Sequence, residues 1–166
     1  MKQVSFCDGR TFKEMFVAGS NWLEKSVPDV NAINVFPVPD GDTGTNMHLT
    51  MRSTLEEAER ANNENVGEIA KAMAQGALMV ARGNSGVILS QFFRGLAKGV
   101  DNKPTINPDE WAKSLVEASI AAYKGLSQPT EGTILTVLRD ASNAAVSDIG
   151  IHYQKDTRGS NTITAK

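Results

Sequence analysis

The sequence predicts an all-α domain. Apolar residues recur at three- and four-residue spacing through six segments, which is the period of an amphipathic helix. No segment alternates apolar and polar residues over the length of a strand, and clusters of β-branched residues between turns are absent. With 166 residues, the chain has the length of one domain with a sizeable core.

Each predicted helix is defined by its apolar face and by the residues that bound it. The first is expected to end near Ser26 and Pro28, because proline lacks the backbone donor that a helix interior needs. The fifth has the clearest start, with Asn107 as N-cap, Pro108 at the first helical position and Glu110 placed to bond back to the cap. The apolar faces run, in order, from Phe12 to Leu23, Met47 to Ala58, Val66 to Val80, Val87 to Ala97, Trp111 to Tyr123 and Ile134 to Ala145.

The composition narrows the class of partner. The formal net charge is −2, so the chain has no basic field for nucleic acid or an anionic membrane. Charged residues such as Lys2, Arg10 and Lys13 interrupt the start of the chain, unlike a signal peptide or a membrane span, and we expect a cytoplasmic protein. Cys7 is the only cysteine, which excludes an internal disulfide and a multi-cysteine metal site.

The most constrained stretch of the sequence joins the first two predicted helices. Asp40 and Asp42 are separated only by Gly41, so both carboxylates can point toward one hard divalent cation. A plain turn is the alternative, because Pro, Asp and Gly are common turn residues. A turn requires neither the second Asp nor the Thr-Gly-Thr-Asn run that follows, and a Mg²⁺ site is therefore the preferred hypothesis.

Polar residues continue into the start of the second helix. Thr43, Thr45 and Asn46 lie where backbone N–H groups are expected to be free and where the helix dipole favours an anion. We therefore expect a phosphate beside the metal. His48, one turn further on, is expected to be a partly exposed surface residue and not a base.

A second glycine-rich loop precedes the fourth helix. Gly83, Asn84, Ser85 and Gly86 would let backbone N–H groups approach an anion without interference from Cβ atoms. The loop is neither a P-loop nor a dinucleotide fingerprint. Taken alone, it is more often a helix boundary than a phosphate site.

The third polar loop precedes the sixth helix. Thr133 can form hydrogen bonds, while Ile134 and Leu135 can offer a ring an apolar wall, although a helix start with core residues behind it explains the apolar pair equally well. None of the three loops contains lysine, so Mg²⁺ is expected to offset the charge of a bound triphosphate.

These three stretches resemble motifs of one family. The run Asn-Val-Phe-Pro-Val-Pro-Asp-Gly-Asp-Thr-Gly-Thr-Asn-Met, from Asn34 to Met47, is similar to the signature of the nucleotide-binding domain of bacterial fatty acid kinase. More distantly, it resembles the L subunit of dihydroxyacetone kinase. The segment from Ala81 to Gln91 resembles the loop that holds the nucleotide phosphates in this family, and the segment from Pro129 to Val137 resembles its third motif.

The resemblance implies an antiparallel helical barrel or bundle and an ATP-dependent phosphotransferase domain. Its cofactors would be ATP or ADP with a pair of Mg²⁺ ions. The γ-phosphate would pass to a fatty acid held by a partner protein. Asp40 and Asp42 would be catalytic and would bind the metal together with Asn34, which stands where the dihydroxyacetone enzyme has a third Asp, at a slightly different spacing. The residues implied to bind nucleotide are Thr43, Gly44, Thr45, Asn46, Gly83, Asn84, Ser85, Gly86, Thr133, Ile134 and Leu135.

The predicted domain organisation rests on the helical pattern together with this resemblance. Residues 1–146 are predicted to form the kinase domain, and residues 147–166 an irregular or disordered tail. The family's later Gly-Val-Val-Asp-Ser-Gly-Gly type motif is absent, so the last helices of the domain are expected to be missing. A dihydroxyacetone kinase type activity, a non-catalytic nucleotide-sensing domain and a homodimer remain open alternatives.

Overall fold

In the part of the chain that the structure describes, the fold is a set of six helices with two short antiparallel strand pairs. A computed structural model describes residues 5–36, 38–61, 63–148, 151–155 and 161–165. The helices are α1 (Gly9–Ala32), α2 (Thr43–Arg60), α3 (Val66–Val80), α4 (Gly83–Gly99), α5 (Pro108–Lys124) and α6 (Ile134–Asp148). The strands are β1 (Cys7–Asp8), β2 (Thr105–Ile106), β3 (Ile151–Lys155) and β4 (Asn161–Ala165). The prediction of an all-α fold is confirmed.

Consecutive helices pack side by side along the chain, from α1 against α2 through to α5 against α6. Helix α4 is the central element, because it contacts α2, α3, α5 and α6. The start of α5 forms the predicted capping box, in which the side chain of Asn107 accepts from the Glu110 N–H and the Glu110 carboxylate accepts from the Asn107 N–H. This local sequence signal therefore placed a helix start correctly.

Aromatic rings join α1, α4 and α5 in the main core. The ring centroids of Phe12 and Phe16 lie 5.1 Å apart, and Phe12 meets Trp111 edge to face at 5.8 Å. Phe16 also packs against Phe93, with centroids 5.4 Å apart. Edge-to-face aromatic pairs add stabilisation beyond the area they bury. The apolar face predicted from Phe12 to Leu23 therefore packs into the main core.

The predicted end of the first helix is wrong. Helix α1 continues through Pro28 to Ala32. Proline removes the hydrogen bond to the carbonyl of Glu24, but both residues are exposed, so water can solvate that carbonyl. The extra turn brings Asn31 against the start of α2, as described below.

The end of the chain also differs from the expectation. Helix α6 runs to Asp148, and the segment expected to be irregular contains β3 and β4, paired antiparallel with Ile151 opposite Ala165 and Lys155 opposite Asn161. Within the described residues, no helix is both long and apolar enough to cross a membrane.

Candidate functional site

The loop between α1 and α2 is held by the side chain of Asn34. Its Oδ1 atom accepts hydrogen bonds from the Thr43 hydroxyl at 2.7 Å and from the N–H groups of Asp42 and Thr43 at 3.2 Å each. Its Nδ2 atom donates to the carbonyl of Val38 at 2.8 Å. One amide thus ties the entry of the loop to its exit.

A second amide, from Asn31 in the last turn of α1, holds the next part of α2. Its Oδ1 atom accepts from the N–H groups of Gly44 at 2.8 Å and Thr45 at 3.2 Å, and its Nδ2 atom donates to the Thr45 hydroxyl at 3.0 Å. A Cβ atom on Gly44 would lie 2.8 Å from the carbonyl oxygen of Val27, so only glycine permits this approach of the two helices.

Together the two amides correct one expectation from the sequence. The N–H groups around Thr43, Thr45 and Asn46 were expected to be free for a phosphate. Instead, the N–H groups at this helix start donate to Asn31 or Asn34, namely those of Asp42, Thr43, Gly44 and Thr45. The N–H of Asn46 donates to the carbonyl of Asp42 within the helix. The start of α2 is therefore capped by protein groups.

The two aspartates keep their carboxylates available. Asp42 is the N-cap of α2, but its side chain makes no capping hydrogen bond. Within the described ranges, the carboxylates of Asp40 and Asp42 take part in no ion pair and no hydrogen bond. Asp40 is exposed and Asp42 is half-buried. Because Asn34 already accepts three hydrogen bonds through Oδ1, it orients the loop and has no free lone pair for a cation.

These residues suit Mg²⁺ better than a cation that needs a full protein cage. Mg²⁺ usually binds through one or two carboxylates and takes its other ligands from phosphates and water. Asp40 and Asp42 supply that number of carboxylates. The described residues contain no group of three or more His, Cys, Asp or Glu side chains arranged to hold a metal.

The start of α4 differs from the start of α2. Arg82 is its N-cap and makes no side-chain capping bond, and the first turn is closed by the Gly86 N–H donating to the Arg82 carbonyl. Among the described residues, the N–H groups of Gly83, Asn84 and Ser85 have no acceptor. Three open donors at the positive end of a helix of 17 residues form a favourable environment for an anion.

The starts of α2 and α4 lie next to each other. The Ser85 hydroxyl donates to the carbonyl of Thr43 at 3.4 Å. Gly83 has a φ of 61°, and a Cβ atom there would lie 2.6 Å from Nδ2 of Asn46, a residue that is only 8% exposed. One turn further along both helices, Gly86 lies against Thr50. The two helices therefore run in the same direction here, and their positive ends are adjacent.

The third predicted loop reaches the same region through a small core cluster. Thr133 caps α6, because its hydroxyl accepts from the Leu135 N–H at 3.3 Å and donates to the Thr130 carbonyl at 2.8 Å. Leu135 is 1% exposed and packs with Ile88 of α4 and Ala122 of α5. The side chain of Leu135 is therefore a core residue, which corrects the expectation of an open ring wall there, whereas Ile134 is half-buried.

Sequence reasoning missed several residues around the site. Asn31 was missed because α1 was expected to end near Pro28, before this residue. Glu131 was also missed, because its partners lie on two different helices. His48 is half-buried, which agrees with the partly exposed position expected from the sequence, and its Nδ1 atom is buried without a hydrogen-bond partner among the described residues.

The fold and the site together define an all-α domain in which, among the described residues, open N–H groups at a helix start lie near two carboxylates without partners. The chain belongs to the DAK2 domain family, whose model matches residues 37–157. This family is related to kinases and binds nucleotide, and the domain is of the dihydroxyacetone kinase L-subunit type.

Relatives at about half identity support this assignment. The chain is 51% identical over 139 residues to protein YloV of Bacillus subtilis, a match that covers 84% of this chain and 25% of the relative. It is 50% identical over 143 residues to an uncharacterized protein of Staphylococcus saprophyticus and 48% identical to one of Staphylococcus aureus, each match covering 86% of this chain and 26% of the relative. The chain thus spans about a quarter of the length of these curated relatives.

Proposed function

We propose that this chain binds ATP with Mg²⁺ and is the phosphoryl-transfer domain of a kinase that acts on an acyl substrate presented by a partner protein. The observation that carries the proposal concerns two adjacent helix starts: among the described residues, the N–H groups that begin α4 have no acceptor, and the carboxylates of Asp40 and Asp42 before α2 have no partner. Phosphoryl transfer depends mainly on positioning and on charge stabilisation, which these two features supply.

The phosphates are assigned to the start of α4 and not to that of α2. The donors of α2 are occupied by Asn31 and Asn34, whereas Gly83, Asn84 and Ser85 have open donors among the described residues. The buried side chain of Asn46 supports the loop from below. The phosphate chain would therefore lie at the start of α4 and extend toward the aspartates.

The metal is assigned to Asp40 and Asp42. Held by these carboxylates, Mg²⁺ would offset the negative charge of the triphosphate, for which the three loops contain no lysine. Asn34 and Asn31 fix the backbone that carries the two aspartates. Both are positioning residues in this proposal.

The acceptor is assigned from the resemblance to fatty acid kinase and from the surface beside the aspartates. Val35, Phe36 and Val38 are 72%, 59% and 51% exposed. Large apolar side chains that lie exposed together mark contact sites for other molecules. An apolar loop directly before Asp40 is therefore suited to contact a partner that delivers an acyl group.

Calorimetry with ATP, with and without Mg²⁺, tests binding, and a transfer assay with labelled γ-phosphate tests the acceptor. The proposal predicts Mg²⁺-dependent binding and transfer to a fatty acid only when its carrier protein is present. Transfer to dihydroxyacetone would favour the small-polyol alternative. Binding without transfer to either acceptor would favour a nucleotide-sensing domain, and the absence of any binding would refute the proposal.

A further inference from the structure

The loop before α6 is organised by the carboxylate of Glu131. Its Oε1 atom accepts from the Tyr123 hydroxyl at 2.9 Å, and its Oε2 atom accepts from the Thr136 hydroxyl at 2.7 Å and pairs with Arg139 at 2.7 Å. The Thr136 hydroxyl in turn accepts from the N–H of Gly132 at 2.8 Å, where the backbone has a φ of 76°. The side chain of Glu131 thus connects α5, the loop and the first two turns of α6.

This network acts on the shape of the loop more than on the stability of the whole domain. The side chains of Glu131 and Arg139 are 57% and 41% exposed, and ion pairs with that much exposure contribute little to unfolding free energy. The hydrogen bonds from Thr136 and Tyr123 lower the pKa of Glu131, so it is ionised at neutral pH. The main consequence of this network is that it restrains the conformation of residues 131–136.

The network is also anchored at the start of α4. Tyr123 packs on the cluster of Ile88, Ala122 and Leu135, and Ile88 lies two residues after Gly86. The loop before α6 is therefore held at a fixed position relative to the open N–H groups of α4.

The charges around this loop suit a neutral group and not a phosphate. The guanidinium of Arg139 lies beside this loop, and it already pairs with the carboxylates of Glu131 at 2.7 Å and Asp140 at 3.0 Å. Two carboxylates around one guanidinium leave the start of α6 without positive charge to spare. The Thr133 hydroxyl donates its proton to Thr130 and accepts one bond from the Leu135 N–H, so its oxygen can accept one more. This acceptor and the half-buried apolar side chain of Ile134 together suit a nucleoside.

We propose that Glu131 is a positioning residue for the nucleoside part of ATP. It holds the first turn of α6 against the nucleoside, so that the protein binds ATP more tightly than inorganic triphosphate. This inference rests on the proposed function, because it takes the triphosphate to lie at the start of α4. Glu131 acts through the loop and does not itself contact the phosphates.

The test compares the affinities of ATP and inorganic tripolyphosphate, each with Mg²⁺, in the full chain. Glu131→Gln keeps the shape of the side chain but removes the charge and one acceptor. Tyr123→Phe removes the hydroxyl that donates to Glu131 at 2.9 Å and accepts from Arg139 at 3.5 Å. Glu117→Gln is the control, because it disrupts the exposed Lys98–Glu117 ion pair at 3.0 Å, which lies on α4 and α5 outside this loop. Melting temperatures are recorded for all variants.

Glu131→Gln is expected to weaken ATP about tenfold, which corresponds to ~1.4 kcal/mol, and to leave tripolyphosphate within about twofold. Tyr123→Phe should change ATP affinity in the same direction by a smaller factor, and Glu117→Gln should change neither ligand. If Glu131→Gln does not fold, Tyr123→Phe decides the question through the ratio of the two affinities.

Two results would overturn the inference while leaving the proposed function intact. In the first, ATP affinity is unchanged in both loop variants although the parent binds both ligands. In the second, ATP and tripolyphosphate weaken by the same factor, which would make the effect independent of the nucleoside. A parent chain that binds neither ligand would instead refute the proposed function and this inference with it.

Discussion

Asn31 offers the sharpest test of how the aspartate loop is held. Replacing it by leucine keeps a branched side chain of similar length but removes the acceptor for Gly44 and Thr45 and the donor to the Thr45 hydroxyl. Each of these hydrogen bonds is expected to contribute at most about 1 kcal/mol to the free energy of unfolding. Asn31 is half-buried, so water can replace some of the lost hydrogen bonds in the variant.

The expected loss is therefore ~1–2 kcal/mol, in the range found for removal of a helix cap. For a domain of this size, each kcal/mol lowers the melting temperature by about 2–4 °C. Because Asp42 lies at the same helix start, Asn31→Leu should also weaken Mg²⁺-dependent ATP binding. Asn31→Asp keeps an acceptor at the helix start and should retain most of the stability.

Chemical denaturation and calorimetry with MgATP measure the two effects separately. Asn65→Ala is the matched control, because it removes a cap of the same type, the Glu68 N–H to Asn65 bond at 3.2 Å, from α3 outside the site. It should lower stability without changing MgATP affinity. The reasoning fails if Asn31→Leu binds MgATP like the parent, or if Asn65→Ala weakens binding equally.

Three further predictions concern the carboxylates, the glycine loop and acid stability. Asp40→Asn and Asp42→Asn should each weaken MgATP binding strongly, while stability without metal holds or rises, because like-charge repulsion is relieved; unchanged MgATP titrations in both variants would remove the metal assignment. Gly83→Ala should destabilise the protein by about 1–2 kcal/mol because of its φ of 61° and the nearby Asn46, and should weaken ATP binding. Gly19→Ala, where a Cβ atom meets nothing within 4 Å, should stabilise α1 by about 0.5–1 kcal/mol and leave binding unchanged, as paired melts and titrations can check. The pKa of Glu110 is lowered from its ordinary value of 4.5 by the hydrogen bond from Lys103 and by that from the Asn107 N–H. The stability contributed by its carboxylate should therefore be complete above pH 4.5 and be lost as the pH falls below that value. Glu110→Gln should flatten this part of an acid-denaturation profile, and an unchanged slope would contradict the assignment.

The parts of the fold that local signals determine were predicted well. The capping box at Asn107 and Glu110 lies within four residues, and the bounds of α3, Val66–Val80, follow from its apolar period. The end of α1 was missed because Pro28 is unfavourable locally, while the contacts of Val27 and Asn31 with α2 exist only in the folded chain. The strands β3 and β4 were missed because their pairing is also non-local.

The candidate site shows the same division. The sequence pointed to Asp40, Asp42 and the Gly83 loop, because the residue types themselves suggested cation and anion chemistry. It did not show that Asn31 occupies the N–H groups of α2, since that contact spans a turn of irregular backbone. Which helix start keeps open N–H groups is a tertiary property, and among the described residues it is the start of α4 and not that of α2.

The account depends most on the phosphates lying at the start of α4 and not at the start of α2. A titration of the ¹⁵N-labelled chain with MgATP, followed by amide chemical shifts, tests this directly. The account predicts the largest shift changes at the amides of Gly83, Asn84 and Ser85, with smaller changes at Gly44 and Thr45, whose N–H groups already donate to Asn31. Changes centred on Gly44 and Thr45, with Gly83 to Ser85 unmoved, would contradict it.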